Sequence, residues 1–383
     1  MSAVRIRPFA LSDWPATAAL LREDHWPVRS MPGWRWAFED NPARHADSPL
    51  GWVLTADERV VGCLFNVPQR YRLNGQSVPA ATCTHFVVAP AWRGQAASLM
   101  RAFFLQPGMD LWFSASANAF GAPFYRLFKA QPGPDPAAQR SLTWVASHAA
   151  LAGHGLQRLG AAKAQGLRRA VGAALAAVHR STPTARLPAA GWGAKAGLTC
   201  SVVAPDAIDS RFDRFWERLQ QQPGLHLDRS APVLRWRMAD PDNAGQLGLL
   251  AVHRQADTEP LALAQVLAWR PAGASSRALV LDWCVPPGTN PAASAVLLRG
   301  LGEWAAERHL AWVEARRVTG LSGQQLAALA PRVKAAEPDT HWSRARTPAL
   351  QQALAAPLLW SGVKADSDDW INHVPDASAP RQP

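Results

Sequence analysis

A chain of 383 residues with 48% hydrophobic and 18% charged side chains can bury two separate cores, which excludes a disordered or fibrous protein. The net charge is +11, from 40 Lys and Arg against 29 Asp and Glu, and reflects either an arginine-rich composition or an anionic partner. Cys63, Cys83, Cys200 and Cys284 form no C-x-x-C pair, so they predict small buried side chains and neither a metal site nor a disulfide frame. No 18-residue apolar run occurs and the opening MSAVRIRPFALSDW lacks a signal-peptide core, so a cytoplasmic protein is expected.

In chain order, residues 4–9 (VRIRPF) alternate as a first strand, and Leu11-Ser12-Asp13 offers a cap for a helix over Trp14–Arg22. A second, aromatic helix is expected over Met31–Asn41, closed by Asn41-Pro42. Its Glu39 and Asp40 either face a bound substrate or solvate a helix end. Two antiparallel strands follow, Gly51–Thr55 and Val60–Arg72, around the turn Ala56-Asp57-Glu58. A further strand spans Val78–Val88, and Pro90 ends it because proline cannot donate to a sheet ladder. After the tight loop Trp92-Arg93-Gly94-Gln95, the residues Ala96, Leu99, Met100 and Phe103 repeat at helical spacing. Strand, glycine turn and helix start make an anion site, since the first N–H groups of a helix lack intrahelical partners. Arg93 adds a planar donor fork suited to phosphate. A strand at Leu111–Ala115 and a short helix from Asn118 through Tyr125 complete the region.

Between Pro136 and Pro205 there is no Asp or Glu, while Arg140, Arg158, Lys163, Arg168, Arg169, Arg180, Arg186 and Lys195 supply positive charge. The Ala- and Leu-rich span Ala149–His179 predicts interrupted helix. It is either an interdomain helix or a basic amphipathic surface for a membrane or polyanion. From about Val202 the first order returns. Helix Phe212–Leu219 and the aromatic segment Val233–Arg237 precede strands at Gly245–Arg254, Leu261–Arg270 and Ala278–Val285. Helix Ala292–Glu307 and strand His309–Arg316 close the repeat. The tail after Trp370 is expected to fray.

The segment Val88-Ala89-Pro90-Ala91-Trp92-Arg93-Gly94-Gln95-Ala96-Ala97-Ser98, followed by Asn118 and Tyr125 in an N-x6-Y spacing, resembles the acyl-CoA-binding core of the GNAT acetyltransferase superfamily. The chain departs from that pattern at Ala96 and Ser98, where glycine leads, and at Lys129-Ala130, where many members carry Gly-Phe. The resemblance implies an α/β (α+β) fold of two GNAT-like mixed-sheet domains in tandem. They would be an acyl-CoA-binding domain over 1–135, a basic helical insert over 136–201 and a degenerate copy over 202–345, with an extension over 346–383. The second copy has Val285-Pro286 and then Gly288-Thr289-Asn290-Pro291, without the arginine, and no tyrosine.

The implied activity is acyl transfer, from acetyl-CoA or another acyl-CoA, to an amine or hydroxyl acceptor such as a cell-envelope or exopolysaccharide sugar. No metal is implied. The resemblance places the CoA on Arg93, Gly94, Gln95, Ala96, Ala97, Ser98 and Asn118, with backbone groups near Phe86 and Val88 holding the pantetheine. Tyr125 is then the thiolate's acid. His85, on the central strand, has a pKa range suited to proton abstraction and is the candidate base, with a water relay as the alternative. Two other readings remain: a FemABX-like aminoacyltransferase that uses aminoacyl-tRNA, to which the basic charge would suit nucleic acid, and a non-catalytic acyl-CoA-binding protein.

Overall fold

The computed structural model describes residues 4–45, 48–114, 117, 119–132, 141–158, 165–181, 185–189, 196–255, 257–316, 318–334, 341–354 and 373–374. They fall into two compact units, neither contiguous in sequence. The first comprises 1–135, 223–242 and 337–374, and the second 136–222, 243–336 and 375–383.

In the first unit, β1 (Val4–Pro8), β2 (Gly51–Ala56), β3 (Arg59–Leu73), β4 (Gln76–Val88) and β5 (Leu111–Ser114) lie in sequence order. Strand β15 (Trp342–Ala345) follows on the far side of β5, with β6 (Gln131–Pro132) at the edge, and β9 (Leu225–Leu227) pairs with β3. Only the β4–β5 pair is parallel. The β3–β4 hairpin is tight because Asn74 and Gly75 take φ of +50° and +80°, as a two-residue primed turn needs. Helices α1 (Trp14–Glu23) and α2 (Met31–Phe38) cover one face, where Phe9, Trp14, Trp34 and Phe38 surround Phe65 of β3. Helices α3 (Ala96–Leu105) and α4 (Ala122–Leu127) cover the other, where Leu99, Met100, Phe103 and Tyr125 pack with Leu64, Cys83 and Val88.

Asp13 does not cap α1 as expected. Its carboxylate turns back to the Ala10 N–H at 2.8 Å and to the Arg7 guanidinium at 2.6 and 2.7 Å. These bonds, the Arg7 contact first, hold it below the usual carboxylate range. Ser30 does cap α2, accepting from the Gly33 N–H at 3.1 Å.

The second unit repeats the plan. Strands β8 (Leu198–Val203), β10 (Leu247–Arg254), β11 (Ala262–Trp269), β12 (Arg277–Cys284) and β13 (Trp312–Ala315) run in order, and only β12–β13 is parallel. Beyond β13 come β7 (Ser141–Val145) and β14 (Arg332–Lys334). The long helix α9 (Ala292–Glu307) stands where α3 stands in the first unit, and α7 (Ser210–Gln220) takes the chain position of α1.

The blocks expected at 136–201, 202–345 and 346–383 are therefore divided differently in space. Strand β7, placed in the insert, belongs to the second sheet. Strand β15, placed in the degenerate copy, belongs to the first. Each strand that follows one repeat completes the other repeat's sheet, because a β5 or β13 edge left bare would expose unpaired backbone groups. The expected helical insert is a hairpin of α5 (His148–Arg158) and α6 (Gln165–Ser181) within the second unit. A Cβ on Gly172 of α6 would come within 2.9 Å of the Ala149 backbone, so only glycine allows this approach.

Helix α8 (Ala231–Met238) joins the first unit, where it meets α2, its own counterpart 200 residues earlier. The two share a pattern, Arg29-Ser30-x-Pro32-x-x-Arg35-Trp36 and Arg229-Ser230-x-Pro232-x-x-Arg235-Trp236. Trp36 and Trp236 stack at 5.2 Å, and each indole N–H donates to the other's backbone carbonyl, at 2.6 and 2.8 Å. Buried Arg29 closes the contact with bonds to Asp240 at 2.8 and 3.0 Å and to Asp242 at 3.1 Å.

Candidate active site

The central feature of the first unit is a fork. Strands β4 and β5 pair only at Ala80–Leu111, Ala81–Trp112 and Thr82–Phe113, after which β4 continues to Val88 paired with β3 on its other edge. Backbone groups of β4 beyond Thr82 thus have no β5 partner, where the pantetheine contacts near Phe86 and Val88 are expected.

Just past the fork, the β3–β4 register shifts. Cys63 opposes Val87 but Phe65 opposes Thr84, so β4 carries one extra residue. His85 sits in this bulge at φ +49°. The buried Cys63 thiol, pushed up to about 12 by desolvation, donates to the His85 carbonyl at 3.4 Å. The bulge breaks simple alternation. Cys83 faces α3 and α4, whereas His85, only two residues on, faces the α1 and α2 side against Phe65 and Trp26, at ring distances of 5.8 and 5.5 Å. Phe86 and Val88 return to the α3 side.

Tyr125 of α4 lies on that side, 3% exposed, with its hydroxyl 2.9 Å from the Cys83 Sγ at the fork. Its ring stacks on Trp342 of β15 at 6.2 Å and meets Phe104 edge-on at 5.9 Å. Tyr125 and His85 are therefore brought to opposite faces of one strand. Sequence reasoning missed Trp342, whose four-residue strand lies far along the chain and carries no periodic signal.

His85 is 4% exposed. Burial pushes its ring down to about 4. A hydrogen bond to the Pro27 carbonyl opposes that shift, and the nearby Arg29 charge adds to it. Proline has no N–H, so the ring donates in that bond. His85 Nδ1 has no partner among the described residues.

Residues Pro90–Gln95 wind as a 3-10 turn into α3. Arg93, Gly94 and Gln95 are exposed, Ala97 and Ser98 half-buried, and Ala96 buried. A Cβ on Gly94 would meet nothing within 4 Å, so the space beside this backbone is open to a ligand. Arg93 lies over Phe120 at 5.9 Å, and Phe120 forms a triangle with Phe86 and Phe124 at 5.4 to 5.6 Å. Asn118 lies outside the described residues. Among the described residues no group of three or more His, Cys, Asp or Glu could hold a metal ion, and no helix is long and apolar enough to cross a membrane.

No protein-family model and no curated protein sequence matches this chain. Solved structures do match its fold. A GCN5-related N-acetyltransferase from Anabaena variabilis ATCC 29413 aligns over 90% of this chain and 73% of its own, with a TM-score of 0.55 at 13% identity. One from Kribbella flavida aligns over 89% and 70%, with a TM-score of 0.50 at 12% identity. The Saccharomyces cerevisiae N-myristoyltransferase with bound myristoyl-CoA aligns over 90% and 82%, with a TM-score of 0.50 at 10% identity.

Proposed function

We propose that this chain, whose fold is that of the GNAT acyltransferases, is an acyl-CoA-dependent acyltransferase with one working site, in the first unit. Acetyl-CoA is the expected donor, and an amine or hydroxyl of a cell-envelope or exopolysaccharide sugar the expected acceptor. The observation that carries this reading is the pair Tyr125 and His85 on opposite faces of β4, beside the gap where β5 leaves it.

In this reading the pyrophosphate rests on the start of α3, with Gly94 open beside it and Arg93 supplying charge-assisted donors. The pantetheine arm runs along the unpaired edge of β4, and the thioester reaches the fork. The acceptor approaches from the α1 and α2 side. Its nucleophilic atom attacks the thioester carbonyl while His85 Nδ1 takes its proton. The carbon–sulfur bond breaks on the other side, where the Tyr125 hydroxyl gives its proton to the departing thiolate. The Cys83 contact holds that hydroxyl at the fork.

Titration calorimetry tests the site. One acetyl-CoA should bind per chain, and Gly94→Val should abolish binding while leaving the melting temperature unchanged, because its side chain fills open space. Binding unchanged in folded Gly94→Val removes the loop from the site.

A further inference from the structure

A strand that ends a sheet leaves one row of N–H and C=O groups unpaired, and folded proteins guard such edges with charge, proline or brevity. Among the described residues, three of the four strands that end the two sheets are guarded in this way. β1 carries Arg5, Arg7 and Pro8, β6 is only Gln131-Pro132, and β14 is Arg332-Val333-Lys334. The fourth is β8, Leu198-Thr199-Cys200-Ser201-Val202-Val203, with six residues, no charge and no proline. It holds in the second sheet the place that β1 holds in the first.

The register of β8 on β10 fixes which of its groups face outward. The Gln255 N–H donates to the Gly197 carbonyl at 3.0 Å, so Gly197, Thr199, Ser201 and Val203 turn their backbone groups toward β10. Leu198, Cys200 and Val202 turn theirs away, and no hydrogen bond reaches these outward groups among the described residues. The side chains of these three share one face of the sheet. Leu198 is buried, and Cys200 packs so closely under α9 that a Cβ on Gly300 would come within 2.5 Å of its Sγ. Val202 is 54% exposed. Glu303 of α9, whose charge acts on the Cys200 thiol, is bound by Arg299 at 2.7 Å, a neutral pair beside the edge. On the other face Thr199 and Ser201 hold the His253 ring at 3.1 and 3.0 Å.

We propose that β8 pairs antiparallel with β8 of a second copy of this chain, across a two-fold axis at Cys200, joining two seven-stranded sheets into one. In this register Cys200 faces Cys200, and Val202 of each copy faces Leu198 of the other. All three outward residues then oppose outward residues, and each such pair exchanges both its N–H···O bonds. A slip by one residue would set outward groups against inward ones and reverse the faces. The strand is complementary to itself: apolar residues meet apolar ones, Thr199 meets Ser201, and no charge meets its like. β1 or β14 paired in the same manner would set Arg5 against Arg7, or Arg332 against Lys334, in a chain whose net charge is already +11. Pairing through one strand lies at the small end of specific interfaces, so the dimer exchanges with monomer at micromolar concentration.

Sedimentation velocity of the full chain from about 1 to about 100 µM should show monomer passing into dimer. Val202→Lys gives β8 the guard that β14 carries, and should keep the chain monomeric throughout, with the melting temperature of the monomer unchanged. Val202→Pro removes only an outward N–H, twice in the symmetric pair, and should raise the dimer Kd about tenfold or more. Hydrogen exchange resolved to single residues should show the Cys200 and Val202 amides slowing as concentration rises. The Thr199 and Ser201 amides, bonded to β10, should be slow at every concentration. A monomer at the highest concentration overturns the proposal, and so does a dimer that both substitutions leave intact. Cys200 and Val202 amides that are fast in a dimer, or already slow in the monomer, overturn it as well. None of these readouts involves acyl transfer, so their failure leaves the proposed activity untouched.

Discussion

The two forks of this molecule have the same backbone plan and different fillings. In the second unit β12 pairs with β13 only from Arg277 to Leu279 and carries its own register shift at Leu281, as β4 does at His85. There, however, the segment after β13 lies against the junction of β12 and α9. The Thr319 carbonyl accepts from the Trp283 indole at 3.1 Å and from the Ser294 hydroxyl at 2.9 Å. The Asn290 side chain accepts from the Ala292 N–H, at the start of α9, at 2.9 Å. The loop glycines do not separate the two units, since Gly288, like Gly94, stands beside open space. What differs is the gap between the strands, which the second unit fills with its own hydrogen bonds. A fold that can splay a pair of strands is thus not yet a site. What lies in the gap decides, and only the first fork has a tyrosine on one side and a histidine on the other.

The comparison breaks most sharply at Tyr125. Tyr125→Phe keeps the stack on Trp342 and removes the proton donor, so turnover should fall about 10²–10⁴-fold with acetyl-CoA affinity held. The defect should be largest near neutral pH, since an unprotonated thiolate leaves well in alkali. Full activity from neutral to alkaline pH in this variant makes Tyr125 a packing residue.

The second fork is tested by emptying it. Trp283→Ala should cost about 3–5 kcal/mol of stability, as expected for a large aromatic deleted from a core, and acetyl-CoA should still bind once per chain. Two sites by calorimetry would mean that the second copy is merely blocked.

Acid should distinguish the forks as well, because β12 has no histidine. The His85 pKa is lowered to about 4 from 6.5, so between those values the unfolded chain binds the extra proton. Its stabilising effect is full above about pH 6.5 and is lost as pH falls toward 4, by about 3 kcal/mol at most. His85→Asn tolerates the positive φ, and denaturant titrations from pH 7 to 4 should show this loss in the unmodified chain only. Equal slopes in both chains place the acid sensitivity elsewhere.

The smallest effect separates the two loops. Arg93→Glu should weaken acetyl-CoA binding by about 1.5–3 kcal/mol, the worth of a charged hydrogen bond, with repulsion adding to it. Thr289→Glu in the second unit should leave binding unchanged. Equal losses from both would show that the second loop also meets CoA.

The sequence by itself determined most of the local structure and the place of the turn between β4 and α3. Apolar period, proline stops and the Arg93-Gly94 turn act over a few residues, and the strands to Val88, helix α3 and helix α9 stand close to where periodicity puts them. The tertiary structure decided three other things. It set the bulge, because an extra residue in one strand shows only against its partner's register; Cys83 and His85, which alternate to one face on paper, face opposite ways in the fold. It chose the sheet each late strand completes, because β7 and β15 are too short to announce a partner and are held by the open edges of β13 and β5. And it closed one fork and left the other, because a carbonyl such as Thr319 finds its donors only once the chain has folded back upon them.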